Sequence, residues 1–125
     1  MELINKNWNF EKIETYKTKK KEYKTMKANK IKTVDITAKE WFDKVNGNSY
    51  FSAEVIINFG MENSITLNVP YQYGYGEHYK DMAFQEIKKQ LKCFKKYRHY
   101  RNAYQDYNII DRSIKHENCL KRELK

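Results

Sequence analysis

Alternation of apolar and polar residues after residue 46 predicts an antiparallel hairpin in the middle of the chain. Asn46-Gly47-Asn48 is typical of a tight primed turn, because an Asn-Gly pair tolerates the positive φ that such turns need. Residues 50–59 then alternate with a period of two, the pattern of a strand with one buried face. The positions expected to face the core are Phe51, Ala53, Val55, Ile57 and Phe59.

A second turn at residues 60–63 leads into a further alternating stretch that contains Ile65, Leu67 and Val69. Pro70 is expected to end this strand, because proline has no N–H to donate to a ladder. The two stretches therefore predict consecutive antiparallel strands.

The pattern before the first turn is ambiguous. Residues 37–40 have the spacing of a helix capping box, whereas Val34 and Ile36 alternate as in a strand. Since a hairpin turn needs a partner on both sides, we predict a strand that runs through Trp41 and Phe42 to Val45. The result is a three-stranded antiparallel β-meander.

Between Glu77 and Arg98 the apolar residues recur at steps of three and four, which predicts an amphipathic helix on the apolar face of the sheet. Its inward positions are Ala83, Phe84, Ile87, Leu91 and Phe94. The pattern then weakens, but one side of a further helix or two is indicated by Tyr100, Tyr104, Tyr107, Ile110, Ile114 and Leu120.

These elements place the chain in the α+β class. We predict a basic N-terminal arm or docked segment at residues 1–32, a core of meander and helix at 33–98, and a helical extension at 99–125. A chain of 125 residues can bury roughly 65% of its unfolded surface as one domain.

Charge is distributed unevenly along the chain, whose formal net charge is +9. The balance is +6 for residues 1–32, −4 for residues 33–79 and +7 for residues 80–125. Such a pattern attracts polyanions by counterion release and electrostatic steering rather than by base reading. The alternative is that frequent Lys reflects compositional bias and keeps the protein soluble.

Several classes of function lack support in the sequence. Cys93 and Cys119 cannot form a disulfide framework, and His78, His99 and His116 have no carboxylate pair or cysteine at ligand spacing. We therefore predict neither an enzyme nor a metal or cofactor site; a small nuclease using His78 and Tyr79 is the remaining enzymatic alternative. No apolar run approaches the roughly 20 residues of a membrane span, and no signal core follows Met1, so we expect a cytoplasmic protein without a membrane partner.

The glycine pair in Tyr73-Gly74-Tyr75-Gly76 lies just before the predicted helix. Backbone amides at this position could approach a phosphate. A P-loop lysine and a dinucleotide fingerprint are both missing, so a turn with unusual φ values, surrounded by packing tyrosines, is the favoured interpretation.

The most basic run, KKQLKCFKKYRHYR, extends from Lys88 to Arg101. If its apolar residues point inward, the basic side chains can follow phosphates while a tyrosine stacks on a base or supports an arginine. The alternative is a solvated helix face whose tyrosines belong to the core. The candidate binding residues are Lys19, Lys20, Lys21, Lys88, Lys92, Lys95, Lys96, Tyr97, Arg98, Tyr100 and Arg101.

The segment from Lys39 to Leu91 resembles a pattern of uncharacterised proteins from bacteriophages and mobile elements. The residues that carry it read WFDKVNGNSYFSAEV and VPYQYGYGEHYKDMAF, and the segment covers about half of the chain. The resemblance implies a phage or mobile-element accessory protein, and such small proteins are often inhibitors of host defence, including anti-CRISPR proteins. It assigns no functional residue.

These observations favour an anti-defence protein, an anti-CRISPR inhibitor that binds an RNA-guided effector nuclease or its guide RNA in the cytoplasm of an infected bacterial host. A protein of charge +9 should not act as a DNA decoy in a positively charged channel. The alternative is a phage accessory or regulatory protein that binds DNA or RNA without sequence specificity. The sequence does not predict an oligomeric state.

Overall fold

The computed structural model describes residues 26–125, and within them the chain forms four strands, two α-helices and three short 3-10 turns. The predicted candidates Lys19, Lys20 and Lys21 lie outside the described residues. The strands are β1 (Thr33–Asp43), β2 (Asn48–Ile57), β3 (Ile65–Tyr73) and β4 (Ile110–His116), and the helices are α1 (His78–Gln90) and α2 (Tyr100–Asp106). The 3-10 turns cover Ala28–Lys30, Lys92–Phe94 and Lys121–Glu123.

The strands form one mixed sheet in the order β3-β2-β1-β4. β1 pairs antiparallel with β2, and β2 pairs antiparallel with β3, so the α+β class and the antiparallel meander are confirmed. β4 adds a fourth strand, parallel to β1, which the sequence did not predict. The chain reaches this edge after both helices, as a parallel pairing requires a long crossover connection.

Both helices pack on one face of the sheet, which we call the covered face. The core residues of β1 are Val34, Ile36 and Ala38, and they lie opposite Ile57, Val55 and Ala53 of β2. Full burial of a large apolar side chain contributes about 1.5–3 kcal/mol. The five predicted inward positions of the helical region are all buried, namely Ala83, Phe84, Ile87, Leu91 and Phe94. Ala28 and Ile31, which precede β1, belong to the same core.

The turn between β2 and β3 is organised by Asn58, which is fully buried and has a φ of 57°. Its Oδ1 accepts from the backbone N–H of Lys32 at 2.7 Å, and its Nδ2 donates to the carbonyl of Lys30 at 3.0 Å. Because the chain turns here, β2 ends at Ile57 and Phe59 is 63% exposed. The prediction that Phe59 faces the core is therefore wrong.

The hairpin between β1 and β2 has a four-residue loop at residues 44–47 rather than a two-residue primed turn. The carboxylate of Asp43 accepts from the backbone N–H of Val45 at 3.0 Å and from Nδ2 of Asn46 at 2.8 Å. Gly47 has a positive φ of 72°, whereas Asn46 does not adopt one. β1 thus ends at Asp43, and the predicted extension through Val45 is wrong because Asp43 closes the loop.

Pro70 does not end β3, which continues to Tyr73. The register shifts between Phe51 and Ala53, so the strand passes proline at an irregularity of an edge strand, where a missing N–H costs little. The three residues after Pro70 therefore belong to the sheet, and Tyr71 and Tyr73 stand on a strand instead of a turn.

The helical region is shorter than predicted. α1 ends at Gln90, because Leu91 is extended with φ −119° and ψ 106°, and a 3-10 turn follows. After α2 the chain turns at Asn108, which has a φ of 52°. Ile110 and Ile114, predicted to line a helix, stand on β4. Their spacing of four fits a helix equally well, which explains the wrong prediction.

Candidate functional site

Two surfaces of the described residues combine charge or aromatic rings with exposure. The first, here called the basic surface, lies on the chain that joins α1 to α2 and at the start of α2. Leu91 and Phe94 anchor this stretch in the core and leave its polar residues outside. The exposed cations that form the basic surface are Lys92, Lys95, Lys96, Arg98 and Arg101.

No side chain of the basic surface has a carboxylate within 4.0 Å among residues 26–125. The stretch from Lys92 to Arg101 also contains no acidic residue. Five positive charges are therefore concentrated on one short segment, which suits a ligand that carries several negative charges.

Lys88 differs from the other predicted cations because its ammonium group makes contacts within the protein. Its Nζ donates to the carbonyl of Tyr97 at 3.0 Å and lies 5.6 Å from the ring centroid of Phe84. Lys88 thus links the end of α1 to the following loop. It positions the basic surface and does not belong to it.

The two predicted tyrosines support cations. The ring of Tyr97 lies 5.3 Å from Nζ of Lys96, and the ring of Tyr100 lies 5.9 Å from the guanidinium carbon of Arg101. The Tyr97 hydroxyl donates to Asp106 at 2.7 Å, and this hydrogen bond raises its pKa well above the usual range. Tyr100 is buried and stacks on His99, which leaves its ring no free face for a base.

The second surface lies on the face of the sheet opposite the helices, the open face. Trp41 of β1 lies beside Tyr50 of β2, and Tyr50 lies opposite Tyr73 of β3. We call the row of rings formed there the aromatic strip, which consists of Trp41, Tyr50, Tyr71, Tyr73 and Tyr75.

Neighbouring rings of the strip contact one another. The Trp41 and Tyr50 centroids are 5.6 Å apart, and the Tyr50 and Tyr71 rings stack at 5.2 Å with an interplanar angle of 6°. Tyr73 meets Tyr50 edge to face at 5.9 Å, and Tyr75 meets Tyr73 in the same way at 6.4 Å. Exposure increases along the row, reaching 56% at Tyr73 and 68% at Tyr75.

Residues 119–125 cross the open face beside the strip. The backbone of Lys125 accepts from Tyr71 N–H at 2.8 Å and donates to the Ser52 hydroxyl at 3.1 Å. Nζ of Lys121 lies 5.3 Å from the ring centroid of Trp41. A shallow depression of about 840 Å³ adjoins this segment, and its polar lining includes Thr37, Lys39, Ser52, Glu54, Asn68, Glu123 and Lys125.

A second depression, of about 400 Å³, opens at the exposed end of the strip. It is lined by Tyr73, Gly74, Tyr75, Glu77, His78 and Asp81. Gly74 has no room for a side chain, since a Cβ there would lie 2.5 Å from Phe51. Gly76 has a φ of 61°, and its carbonyl accepts from Nζ of Lys115 at 3.0 Å. The glycine pair therefore forms a tight, anchored turn.

Two acidic residues of the meander are paired with cations of β4. Arg112 binds both oxygens of Asp35 at 2.7 Å, and Lys115 lies 2.9 Å from Glu40. Within residues 26–125, no group of three or more His, Cys, Asp or Glu side chains could hold a metal ion. Cys93 and Cys119 are free thiols, and burial raises the pKa of Cys93.

Sequence reasoning missed the aromatic strip. The signal was present, because Tyr71, Tyr73 and Tyr75 alternate and Tyr50 follows the hairpin loop. Treating Pro70 as the end of the strand assigned these tyrosines to a turn, and the strip becomes visible only when the register of three strands is known.

No protein-family model, curated protein or solved structure matches the chain. No helix in the described part of the chain is long and apolar enough to cross a membrane.

Proposed function

We propose that this protein binds nucleic acid, free or within a nucleoprotein, through the basic surface. The observation that carries the proposal is the concentration of five exposed cations between Lys92 and Arg101, none of which has a carboxylate within 4.0 Å among residues 26–125. Affinity from such a surface comes from phosphate contacts and counterion release, so it depends strongly on salt and weakly on base sequence.

The geometry of the segment supports phosphate contacts in particular. Tyr97 and Tyr100 hold Lys96 and Arg101 against their rings, which reduces the conformational freedom that each cation loses on binding. Leu91 and Phe94 fix the backbone below them. The backbone that carries the cations is thus anchored to the core.

The test compares two sets of three lysines. Lys92→Gln, Lys95→Gln and Lys96→Gln are combined in one variant, and Lys27→Gln, Lys30→Gln and Lys32→Gln form a control that removes the same charge elsewhere. Binding to labelled duplex DNA is measured by fluorescence anisotropy at several salt concentrations. We expect the first variant to reduce the slope of log K against log[salt] by about 0.9 for each phosphate that the protein no longer neutralises. Equal reductions in both variants would show that total charge, and no particular surface, governs binding.

A second candidate concerns the biological context: an anti-defence protein, specifically an anti-CRISPR inhibitor that acts on an RNA-guided effector nuclease or its guide RNA. This candidate is an expectation from the sequence, where the segment 39–91 resembles a pattern of phage and mobile-element proteins. The basic surface would then contact guide RNA or target strand, since the protein side of such channels is itself positive. Pull-down and cleavage assays against a panel of effector nucleases test this candidate, and it fails if no effector is bound or inhibited.

A further inference from the structure

We propose that the exposed end of the aromatic strip binds unpaired bases, which makes the nucleic acid recognised by this protein single-stranded. The inference rests on the proposed function for the class of ligand, and it adds a second contact surface, on the other face of the sheet. Base stacking on exposed aromatic side chains is a common means of binding single strands, because every base has a π-face.

The two ends of the strip have different roles. Trp41 and Tyr50 are half-buried, and their stacking at 5.6 Å is a cross-strand contact that stabilises the sheet. Tyr73 ends the edge strand β3, and Tyr75 follows it; both side chains are more than half exposed and meet edge to face at 6.4 Å. Burial does not account for two large rings at this position, whereas stacking on a ligand does.

The charges around the strip indicate where the sugar-phosphate backbone of the bound strand lies. Lys121 lies over Trp41, and Lys39 and Lys125 line the adjoining depression, where they can neutralise phosphates. Three carboxylates line the same depression, those of Glu54, Glu86 and Glu123, so the lysines can bind individual phosphates but do not form a continuous basic track. The sugar-phosphate backbone is therefore expected near the segment 119–125, with bases directed toward Tyr73 and Tyr75.

The depression at Tyr73 and Tyr75 has the chemistry of a base site. Glu77 and Asp81 line it together with the two rings. Oε1 of Glu77 lies 3.6 Å from Nζ of Lys80, and Oδ1 of Asp81 lies 3.9 Å from Nε2 of His99, so the second oxygen of each carboxylate remains for a ligand. Carboxylates repel phosphate but accept hydrogen bonds from exocyclic amino groups of bases. Thymine has no exocyclic amine and cytosine has one. The site should therefore prefer cytosine over thymine.

The experiment measures binding of short labelled oligodeoxycytidine, oligodeoxythymidine and duplex DNA to the full chain by fluorescence anisotropy. Tyr73→Ala and Tyr75→Ala should each weaken single-strand binding about 5- to 150-fold, the range expected when one stacked base is removed. Duplex binding should not change. Tyr73→Phe should retain most of the affinity, since it keeps the ring. Glu77→Ala combined with Asp81→Ala removes both side-chain acceptors and should abolish the preference for cytosine.

Phe59→Ala is the matched control, because Phe59 is equally exposed but lies in the turn between β2 and β3, away from the strip. Thermal unfolding of each variant shows that the fold is kept. If the tyrosine variants bind single strands as tightly as the Phe59 variant, or lose duplex affinity equally, the inference is wrong while the proposed function stands. If the unaltered protein binds no nucleic acid, both fail together.

Discussion

The covered and open faces of the sheet are made by the same strands but carry different kinds of side chain. On the covered face, the core residues of β1 and β2 are aliphatic or small apart from Phe51, and α1 and α2 exclude water from them. On the open face, the intervening residues are polar or aromatic apart from Ile56, and within residues 26–125 the segment 119–125 lies across them. Period-two alternation thus separates the residues that fold the protein from those available for a ligand.

The sharpest test of this separation compares the stability of the Phe84→Ala and Tyr73→Ala variants. Phe84 is 1% exposed, and its ring centroid lies 6.1 Å from that of Phe94 and 6.0 Å from that of Tyr104. We expect Phe84→Ala to lower the free energy of unfolding by about 3–5 kcal/mol, because it leaves a cavity in the core. Tyr73→Ala should cost less than about 1 kcal/mol, since its ring is mostly solvated.

Urea denaturation followed by circular dichroism measures both effects. Equal destabilisation of the two variants would contradict the separation and would show that the aromatic strip is part of the folding core. A stable Tyr73→Ala variant is also what the single-strand binding experiment requires.

Two ion pairs join β1 to β4, one on each face of the sheet, and they allow a second comparison of the faces. Lys115 and Glu40 are 15% and 13% exposed and lie 2.9 Å apart, whereas Arg112 and Asp35 form an exposed pair at 2.7 Å. Lys115→Met leaves a largely buried carboxylate without its cation, so we expect a destabilisation of about 2–4 kcal/mol. Arg112→Met should cost less than about 1 kcal/mol.

Denaturation midpoints of both variants provide the measurement. The double variant Lys115→Met with Glu40→Gln should recover part of the stability, because it removes the unpaired charge. A Lys115→Met variant as stable as Arg112→Met would mean that Glu40 is solvated and that the turn at Gly76 does not depend on this pair.

The parts of the fold that follow from near neighbours were predictable. The alternation at Phe51, Ala53, Val55 and Ile57 and the three- and four-residue steps of the helical region depend on local periodicity, and all these positions are buried. β4 was not predictable in this way, because its partner β1 is distant in the sequence. The end of α1 was also unmarked, since no glycine or proline separates Lys88 from Arg101.

The same distinction between local pattern and distant contacts applies to the candidate site. The cations of the basic surface could be identified from the sequence, because exposure of lysine and arginine is the usual outcome. The roles of Lys88 and Tyr100 could not, since they depend on a loop carbonyl and on burial. The aromatic strip requires the register of β1, β2 and β3, which the sequence alone does not specify beyond Pro70.

Gly74→Ala tests the close packing of the turn that connects Tyr73 of β3 to α1. An added Cβ would lie 2.5 Å from Cε1 of Phe51, on the covered side, and 2.8 Å from Cδ2 of His78. We expect a destabilisation of about 1–3 kcal/mol from this overpacking, measured by denaturation. Gly47→Ala is the control, because its Cβ meets nothing within 4 Å and only its φ of 72° is unfavourable, at about 1 kcal/mol. If Gly47→Ala were the more damaging, the close packing of Gly74 would not limit the position of the tyrosines beside it.

The smallest expected effect is a pH dependence at the open-face end of the sheet. Hydrogen bonds from Asn46, foremost that of its side chain, hold the pKa of Asp43 below its usual value, and Lys121 adds a favourable charge. A carboxyl with a lowered pKa in the folded state stabilises the protein above its unfolded pKa of about 3.9, and that contribution is lost as the pH falls through the folded pKa. Asp43→Asn should therefore reduce the decrease of Tm on acidification below about pH 4. Thermal unfolding by circular dichroism across this range measures the change, with Glu62→Gln, an exposed turn residue, as the control. An unchanged acid slope in Asp43→Asn would mean that the loop closes without its carboxylate, and that the hairpin beside Trp41 is held by the backbone alone.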